Sequence, residues 1–265
     1  MAHTTPRLDE PAPGWTHDLP GPNQPPSRTP FPSVLSNPPN HVDDVYLELA
    51  CSTTRIRGIG LWGAVFIFAS AIYLAFFMIM LAANSPIHLP LEIGTAGLIT
   101  VVISIWLGIY LYRIDVQAPR DEPIRFNRLR RKVYVYKFQH DGLRPFSRTA
   151  WGVRPAIYDW DDLHAEACRL YVPGTALIEN ITLTVLEPGT TKVLHRFPFA
   201  YGIQQGEMYW AMAQLFMQQG PDALPTFPYV PRDWNNEDVS FNLARRLAPK
   251  VVWPAEMDLE SRTAP

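Results

Sequence analysis

Two long apolar stretches dominate the hydrophobic pattern of the chain, and neither residues 59–83 nor residues 93–112 contain Asp, Glu, Lys or Arg. A helix rises about 1.5 Å per residue and needs about 20 apolar residues to cross about 30 Å of hydrocarbon, so each stretch is long enough to span a bilayer. Pro86 and Pro90 interrupt the short connection between them. Because proline ends a helix, the pattern predicts an antiparallel transmembrane hairpin.

Small residues recur at helical spacing in both predicted helices, and such residues let helices approach closely in lipid. They are Ala64, Ala71 and Ala75 in the first helix and Gly97, Thr100, Ser104 and Gly108 in the second. Two interpretations stay open. The small residues pack the two helices against each other, or they form an interface between copies of the chain.

Positive charges flank the hairpin at its two outer ends. Arg55 and Arg57 precede the first helix, Arg113 and seven further Lys or Arg residues up to Lys137 follow the second, and the turn has none. Because Lys and Arg concentrate in cytoplasmic segments, both termini are predicted to lie in the cytoplasm. The first helix is too long and too far along the chain for a cleavable signal peptide, so it is interpreted as an anchor.

Beyond residue 115 the pattern changes to the alternation that is typical of strands. Two antiparallel hairpins are predicted, one from residues 123–127 and 132–139 and the other from residues 178–186 and 192–199. A further strand is predicted around residues 156–160. Residues 161–168 fit either a helical turn or a continued strand.

Residues 206–220 return to helical spacing. Met208, Ala211, Met212, Leu215 and Phe216 fall on one stripe, and a Gly-Pro pair follows, as is common at the end of a helix. A core-facing helix is the favoured interpretation of this stripe, and a groove for a partner is the alternative. The predicted fold class is a membrane α-hairpin plus an α+β domain, in which one amphipathic helix closes an antiparallel sheet or split barrel.

Composition suggests four regions. Residues 1–40 contain 11 of the 27 prolines, so residues 1–44 are predicted to be a disordered head that is either an inert leader or a docking tail. Residues 45–114 form the hairpin, residues 115–248 the cytoplasmic domain and residues 249–265 a flexible tail. A short helix is predicted within residues 237–247.

The charge of the chain argues against nucleic acid as a partner, and its two cysteines argue against a disulfide. The net charge is −2, and residues 113–265 hold 19 basic against 18 acidic residues, which does not favour nucleic acid as a partner. The two cysteines, Cys51 and Cys168, are not expected to form a disulfide in the cytoplasm. Lipidation of Cys51, just before the first helix, is an alternative role for this residue if the cell is eukaryotic.

No sequence motif of zinc hydrolysis, nucleophilic catalysis or nucleotide binding is present, so neither an enzyme nor a cofactor is expected. The richest cluster of potential ligands is Asp159, Asp161, Asp162, His164 and Glu166, which could offer oxygen atoms and one imidazole to a divalent cation. Their spacing matches no known ligand loop. The favoured interpretation is a solvated acidic edge around a buried Trp160, with no metal.

Two groups of residues are candidates for binding. Positive charges at Arg125, Arg128, Arg130, Arg131 and Lys132 could contact anionic lipid headgroups near the membrane, or could simply solvate a turn. Four aromatic residues are candidates for contact with a protein partner, although most aromatic residues are expected in the core: Trp151, Tyr158, Trp160 and Trp234.

The hairpin is followed by RFNRLRRKVYVY, by AIYDWDDL and by QQGPDAL. This order resembles a bacterial family of unknown function whose members are often encoded beside type VI secretion effectors, and it is similar to membrane-anchored proteins with a pleckstrin-homology-like domain. The resemblance implies an inner-membrane immunity or accessory protein that binds a toxin or a secretion component. It implies no catalytic residue. The alternative hypothesis is a homo-oligomeric scaffold that binds anionic lipid.

Overall fold

A computed structural model of the chain describes residues 5–27, 30, 38–51, 57–84, 90–171, 177–227, 235 and 241–265. Within these ranges the strands are β1 (Trp15–Asp18), β2 (His41–Val42), β3 (Tyr46–Leu49), β4 (Ile124–Asn127), β5 (Lys132–Gln139), β6 (Gly152–Asp159), β7 (Leu163–Tyr171), β8 (Leu177–Leu186) and β9 (Val193–Tyr201). The helices are α1 (Ile59–Asn84), α2 (Leu91–Val116), α3 (Ile203–Gln219), α4 (Leu243–Leu247) and α5 (Ala255–Arg262).

Helices α1 and α2 form the predicted apolar hairpin. Each has 26 residues and is long and apolar enough to cross a bilayer. Only 11% of the most apolar part of α1 and 6% of that of α2 is buried within the protein. Their apolar side chains therefore face outwards, unlike those of the core helices of a water-soluble protein.

The small residues of the hairpin lie where the two helices meet. A Cβ atom on Gly97 would lie 2.7 Å from Met78 Cε, and one on Gly108 would lie 2.7 Å from Phe68 Cε1. Ala64 of α1 is buried as well. This confirms packing within the hairpin as the role of Gly97, Gly108 and Ala64, whereas Thr100 is exposed and its hydroxyl donates to the carbonyl of Ala96.

The domain consists of two antiparallel sheets, with strand orders β2-β3-β4-β5-β6 and β1-β7-β8-β9. The two predicted hairpins are confirmed as β4-β5 and β8-β9. A single turn of 3-10 helix, Trp160–Asp162, carries the chain from β6 of the first sheet to β7 of the second. The sheets are open and do not form closed barrels. Strands β3, β4 and β5 of the first sheet and β7, β8 and β9 of the second supply buried apolar residues to one shared core.

Helix α3 closes this core, as the stripe of apolar residues predicted. Met208, Met212 and Phe216 are buried, which confirms the core-facing interpretation. The helix lies so close to β8 that a Cβ atom on Gly206 would be 2.2 Å from Ile181 Cγ1. Glycine at this position therefore sets the separation between helix and sheet.

The Pro-rich head is not disordered throughout, in contrast to the prediction. We call residues 5–27 the N-terminal strap. Its strand β1 pairs with β7, and beyond it Trp210 Nε1 donates to Pro20 O at 2.9 Å and Gln214 Nε2 donates to Gly21 O at 2.7 Å. Proline removes backbone donors but leaves carbonyl acceptors, and α3 supplies the missing donors.

The strap is also fixed by carboxylates. Asp18 accepts hydrogen bonds from Trp15 Nε1 at 3.0 Å and faces His164 Nε2 at 3.0 Å. The carboxylate of Glu166, which is fully buried, accepts from the Ala12 amide at 2.9 Å and from the Thr184 hydroxyl at 2.5 Å. These contacts join the head to the second sheet.

Acidification is expected to loosen the strap. Burial raises the pKa of Asp18, but hydrogen bonds from His164, Trp15 and the Arg7 amide outweigh it, so the pKa lies below its ordinary value. Such a carboxylate stabilises the fold fully above its unfolded pKa of about 3.9, and the contribution is lost as pH falls through the folded pKa. Hydrogen-exchange protection of residues 5–27 should fall in that acidic window, and Asp18→Asn should weaken the dependence. An unchanged profile in the variant would contradict this role.

The C-terminal tail is ordered too, which corrects the prediction of a flexible segment. Helix α5 packs on β4 and β5, where Ser261 is fully buried. Lys132 Nζ lies 3.0 Å from Glu260 Oε1, and Asn127 Nδ2 donates to Ser261 O at 3.0 Å. The helix is mostly polar, so its partners across the chain, rather than an apolar stripe, hold it in place.

Candidate functional site

A polar pocket of about 400 Å³ lies between the first sheet and the C-terminal segment. We call it the Arg125 pocket, and its lining includes Tyr46, Glu48, Arg125, Val252, Trp253 and Asp258. Strand β3 contributes the first two residues, β4 contributes Arg125, and the segment around the start of α5 contributes the others. Three distant parts of the sequence therefore meet here.

Arg125 is held on every side, with only 4% of its surface exposed. Its Nε atom donates to Glu48 Oε2 at 2.5 Å, while its Nη1 atom donates to Asp258 Oδ1 at 2.6 Å and to Ser261 Oγ at 2.8 Å. The guanidinium carbon lies 4.5 Å from the centre of the Trp253 ring. This combination of ion pairs and a cation–π contact fixes the orientation of the side chain.

The charge of Arg125 is preserved by its neighbours. Burial lowers the pKa of the guanidinium, but the charges of Glu48 and Asp258 and their hydrogen bonds raise it more, so the pKa lies above its ordinary value. The side chain is therefore a permanent cation inside the pocket wall.

Two polar atoms of the pocket have no partner among the residues that the structure describes. They are Asn40 Oδ1 and Trp253 Nε1, and both are buried. The amide nitrogen of Asn40 is satisfied, since it donates to Glu48 Oε1 at 3.2 Å and to Asp121 Oδ2 at 2.9 Å. A buried polar atom without a partner costs free energy, and both atoms belong to residues that line the pocket.

The acidic groups around the pocket outnumber the basic ones. The pocket is lined by the carboxylates of Glu48, Asp121 and Asp258 and by the guanidinium groups of Arg125 and Arg262. Arg262 Nη2 lies 3.0 Å from Asp258 Oδ1. With three carboxylates against two arginines, the pocket favours a polar or positively charged group over an anion.

The predicted lipid-contact residues are mostly paired within the chain. Arg125 is buried, as described above, which contradicts its predicted role. Arg130 Nη2 donates to Ala264 O at 2.6 Å, Arg131 Nη2 donates to Asp161 Oδ1 at 2.5 Å, and Lys132 is bound to Glu260. Arg128 lies beside Gly220 at the end of α3.

The turn that carries these charges is also remote from the hairpin. It lies at the Lys132 end of β5, whereas His140, just beyond the other end, has its ring centre 6.4 Å from that of Tyr110 in α2. Eight strand residues span about 23 Å at about 3.3 Å per residue. The basic run is close to the helices in sequence but not in space.

The predicted partner-contact aromatics have different environments. Trp160 is fully buried, 5.0 Å from Trp210 between ring centres, and Trp151 is 7% exposed against α2, so neither is available to a partner. Tyr158 is partly exposed and stacks on Phe197 at 5.6 Å. Trp234 lies outside the described residues.

The acidic cluster does not assemble into one site. Asp159 and Asp161 are exposed, whereas His164 and Glu166 are buried in β7 and bonded to the strap and to β8. Residues 161–168, which fitted two predictions, form the end of the 3-10 turn and most of β7. Among the described residues, no three His, Cys, Asp or Glu side chains are placed to hold a metal ion.

Sequence reasoning missed Glu48, Trp253 and Asp258 as partners of Arg125. They lie up to 133 residues away from it, which leaves no local pattern to connect them. One signal was present. Ile124 and Phe126 are apolar strand positions, so alternation places Arg125 on the opposite face of β4, where a covering segment must satisfy it.

Comparison with models of known protein families identifies a family for this chain. The model of a family of unknown function, DUF6708, matches residues 101–265, from the middle of α2 to the C-terminus. No curated protein and no solved structure matches the chain. The match covers more than half of the chain, including both sheets except for β1, β2 and β3, and the protein therefore belongs to the family of unknown function DUF6708.

Proposed function

We propose that the protein is a membrane-anchored module that binds another protein through the Arg125 pocket. In this proposal α1 and α2 span the bacterial inner membrane, and both termini lie in the cytoplasm. The length and outward apolar surface of the helices support the anchor, and the positive charges that flank the hairpin support the orientation.

The contacts at the base of the hairpin support a fixed, rather than loosely tethered, domain. Asp115 of α2 is buried, and its carboxylate accepts hydrogen bonds at 2.8 Å from the amides of Gly58 and Leu61, at the start of α1. A carboxylate at this position also interacts favourably with the helix dipole. Arg57 Nη1 donates to Ala118 O at 2.9 Å, which joins the start of α1 to the segment that follows α2.

The observation that carries the proposal is the preorganised wall of the Arg125 pocket. Arg125 is already desolvated and oriented, and the lining residues Asn40 and Trp253 each carry a buried polar atom that lacks a partner in the described part of the chain. A wall that is rigid before binding lowers the entropy cost of association. A protruding lysine, arginine or amide side chain of a partner fits the excess of acidic groups.

We propose further that the partner is a type VI secretion effector or a component of its delivery machinery, so that the protein acts in immunity or as an accessory. The support for this step is the resemblance of the RFNRLRRKVYVY, AIYDWDDL and QQGPDAL segments to proteins that are often encoded beside such effectors. A partner bound at the pocket would be met on the cytoplasmic side if the orientation is as proposed.

Affinity capture with matched variants tests the proposal. Val252 is 73% exposed at the pocket, and Leu259 is 67% exposed elsewhere on the same C-terminal segment. The full chain in detergent should capture the toxin or secretion component encoded nearby, Val252→Asp should lose at least tenfold in affinity, and Leu259→Asp should retain it. Equal capture by both variants would overturn the pocket as the binding site. Failure of the chain to protect cells that express a captured toxin would reject immunity.

A further inference from the structure

The loop of residues 140–150 exposes two large apolar side chains. We call it the membrane-proximal loop. Leu143 is 85% exposed and Phe146 is 62% exposed. The loop is well formed, since the Leu143 amide donates to Asp141 Oδ1 at 2.9 Å and the Ser147 amide donates to Arg144 O at 3.1 Å. The apolar side chains are therefore presented by a defined turn and are not the result of a frayed end.

The membrane-proximal loop is fastened to α2. Arg113 Nη1 donates to Pro145 O and, at 2.7 Å, to Ser147 O. The Arg113 guanidinium also lies 4.5 Å from the centre of the Trp151 ring, and Trp151 Nε1 donates to Arg144 O at 3.0 Å. The position of the loop is thereby set relative to the helix.

The membrane-proximal loop is attached near the end of the apolar stretch of α2. Residues 93–112 are the uncharged stretch, which spans about 30 Å as a helix. The ring of Tyr110, two residues before its end, lies 6.0 Å from Trp151 and 6.4 Å from His140, and it stacks on Trp106 at 6.3 Å. Aromatic residues at this depth are typical of the boundary between hydrocarbon and headgroups.

The charges around the loop favour an anionic surface. Arg144 is 77% exposed, and Arg148 is exposed as well. Arg154 at the start of β6 donates to Thr149 O at 3.2 Å, so its charge lies beside the loop. Asp141 is the one acidic residue within the loop, 3.7 Å from Arg144. The balance is positive, unlike that of the Arg125 pocket.

We propose that the membrane-proximal loop inserts Leu143 and Phe146 into the leaflet next to the domain, with Arg144 and Arg148 on its anionic headgroups. The lipid bilayer is the occupant that the geometry favours, because the loop is continuous with the boundary end of α2. The domain is then held at the membrane by a third contact in addition to its two helices. The inference rests on the proposed membrane anchoring of α1 and α2.

Depth-dependent fluorescence quenching of the full chain in liposomes containing anionic lipid tests the proposal. Cys51 and Cys168 are replaced by alanine, and a polarity-sensitive fluorophore is attached at Leu143→Cys. Two comparison sites are Ile72→Cys, 71% exposed midway along α1, and Leu129→Cys, 43% exposed at the distant turn between β4 and β5. The lipids carry a spin label either near the headgroup or deep in the acyl chain.

The fluorophore at position 143 should show blue-shifted emission, and the spin label near the headgroup should quench most of its intensity. The fluorophore at position 72 should be quenched by the spin label deep in the acyl chain. The label at position 129 should respond to neither. If position 72 is quenched but position 143 behaves like position 129, the loop proposal is overturned and the anchor stands. If position 72 is not quenched, the anchoring itself fails. A blue shift at position 143 without quenching would identify a protein contact instead of lipid.

Discussion

Replacing Trp160 by alanine is expected to lower the free energy of unfolding by about 3–5 kcal/mol, because the substitution removes a large buried side chain and leaves a cavity. Trp160 is fully buried, and its ring centre lies 5.0 Å from that of Trp210 and 5.8 Å from that of Phe126. It therefore joins β4 of the first sheet to α3. Chemical unfolding of the detergent-solubilised chain, followed by near-ultraviolet circular dichroism, measures the loss.

Tyr158→Ala is the matched control for this prediction. Tyr158 is also an aromatic residue of the AIYDW segment, but it is partly exposed and stacks on Phe197 at one face. Its loss should cost about 1 kcal/mol, as expected for a residue at the edge of a core. If Trp160→Ala kept its stability but lost a partner, the sequence-based prediction of a contact residue would be correct and the core assignment wrong.

Arg125→Leu is expected to destabilise the protein by about 3–5 kcal/mol, because it leaves the Glu48 and Asp258 carboxylates without the cation between them. The Glu48 side chain is only 14% exposed, so water cannot fully replace its lost partner, whereas Asp258 is 33% exposed and keeps Arg262 as a partner. The stacking against Trp253 is lost as well. The same unfolding experiment measures the effect.

Two further variants distinguish the effect of breaking the ion pair from the effect of removing any arginine. Arg144→Leu, at an exposed position, should change stability by less than about 0.5 kcal/mol. Adding Glu48→Gln to Arg125→Leu should recover part of the loss, because it removes the buried charge that was left alone. Strictly additive losses in the double variant would show that Arg125 and Glu48 do not stabilise each other.

Local periodicity was sufficient for those parts of the fold whose buried face is visible in the local sequence. The apolar helices α1 and α2, the hairpins β4-β5 and β8-β9, and helix α3 were all predictable, because each has its own repeat of apolar positions or its own turn residues. Boundaries moved by a few residues, as at α3, where tertiary contacts extend the helix to Ile203.

Segments without a repeat of their own were predicted wrongly. The head lacked apolar periodicity, yet β1 is held by pairing with β7 and by donors from α3. The tail looked frayed, yet α5 is held by Arg125 and Lys132. In each case the stabilising partner is far away in sequence, so the composition of the segment did not predict the contact.

The candidate sites divide in the same way. The basic run from Arg125 to Lys132 was visible in the sequence, but its pairing with Glu48, Asp161, Asp258 and Glu260 was not. No sequence pattern, conversely, identified the membrane-proximal loop as a candidate site. Only its attachment to α2 shows that Leu143 and Phe146 lie near the boundary end of that helix.

The sequence by itself determined that this protein has two apolar helices suited to a membrane and a mixed α+β domain, because the local spacing of apolar residues predicts which side of each element is buried. Only the tertiary structure decided that Arg125 is buried and that residues 140–150 lie beside the helices. Charges and loops take their environment from whichever distant segment packs on them, and chain folding alone brings those segments together.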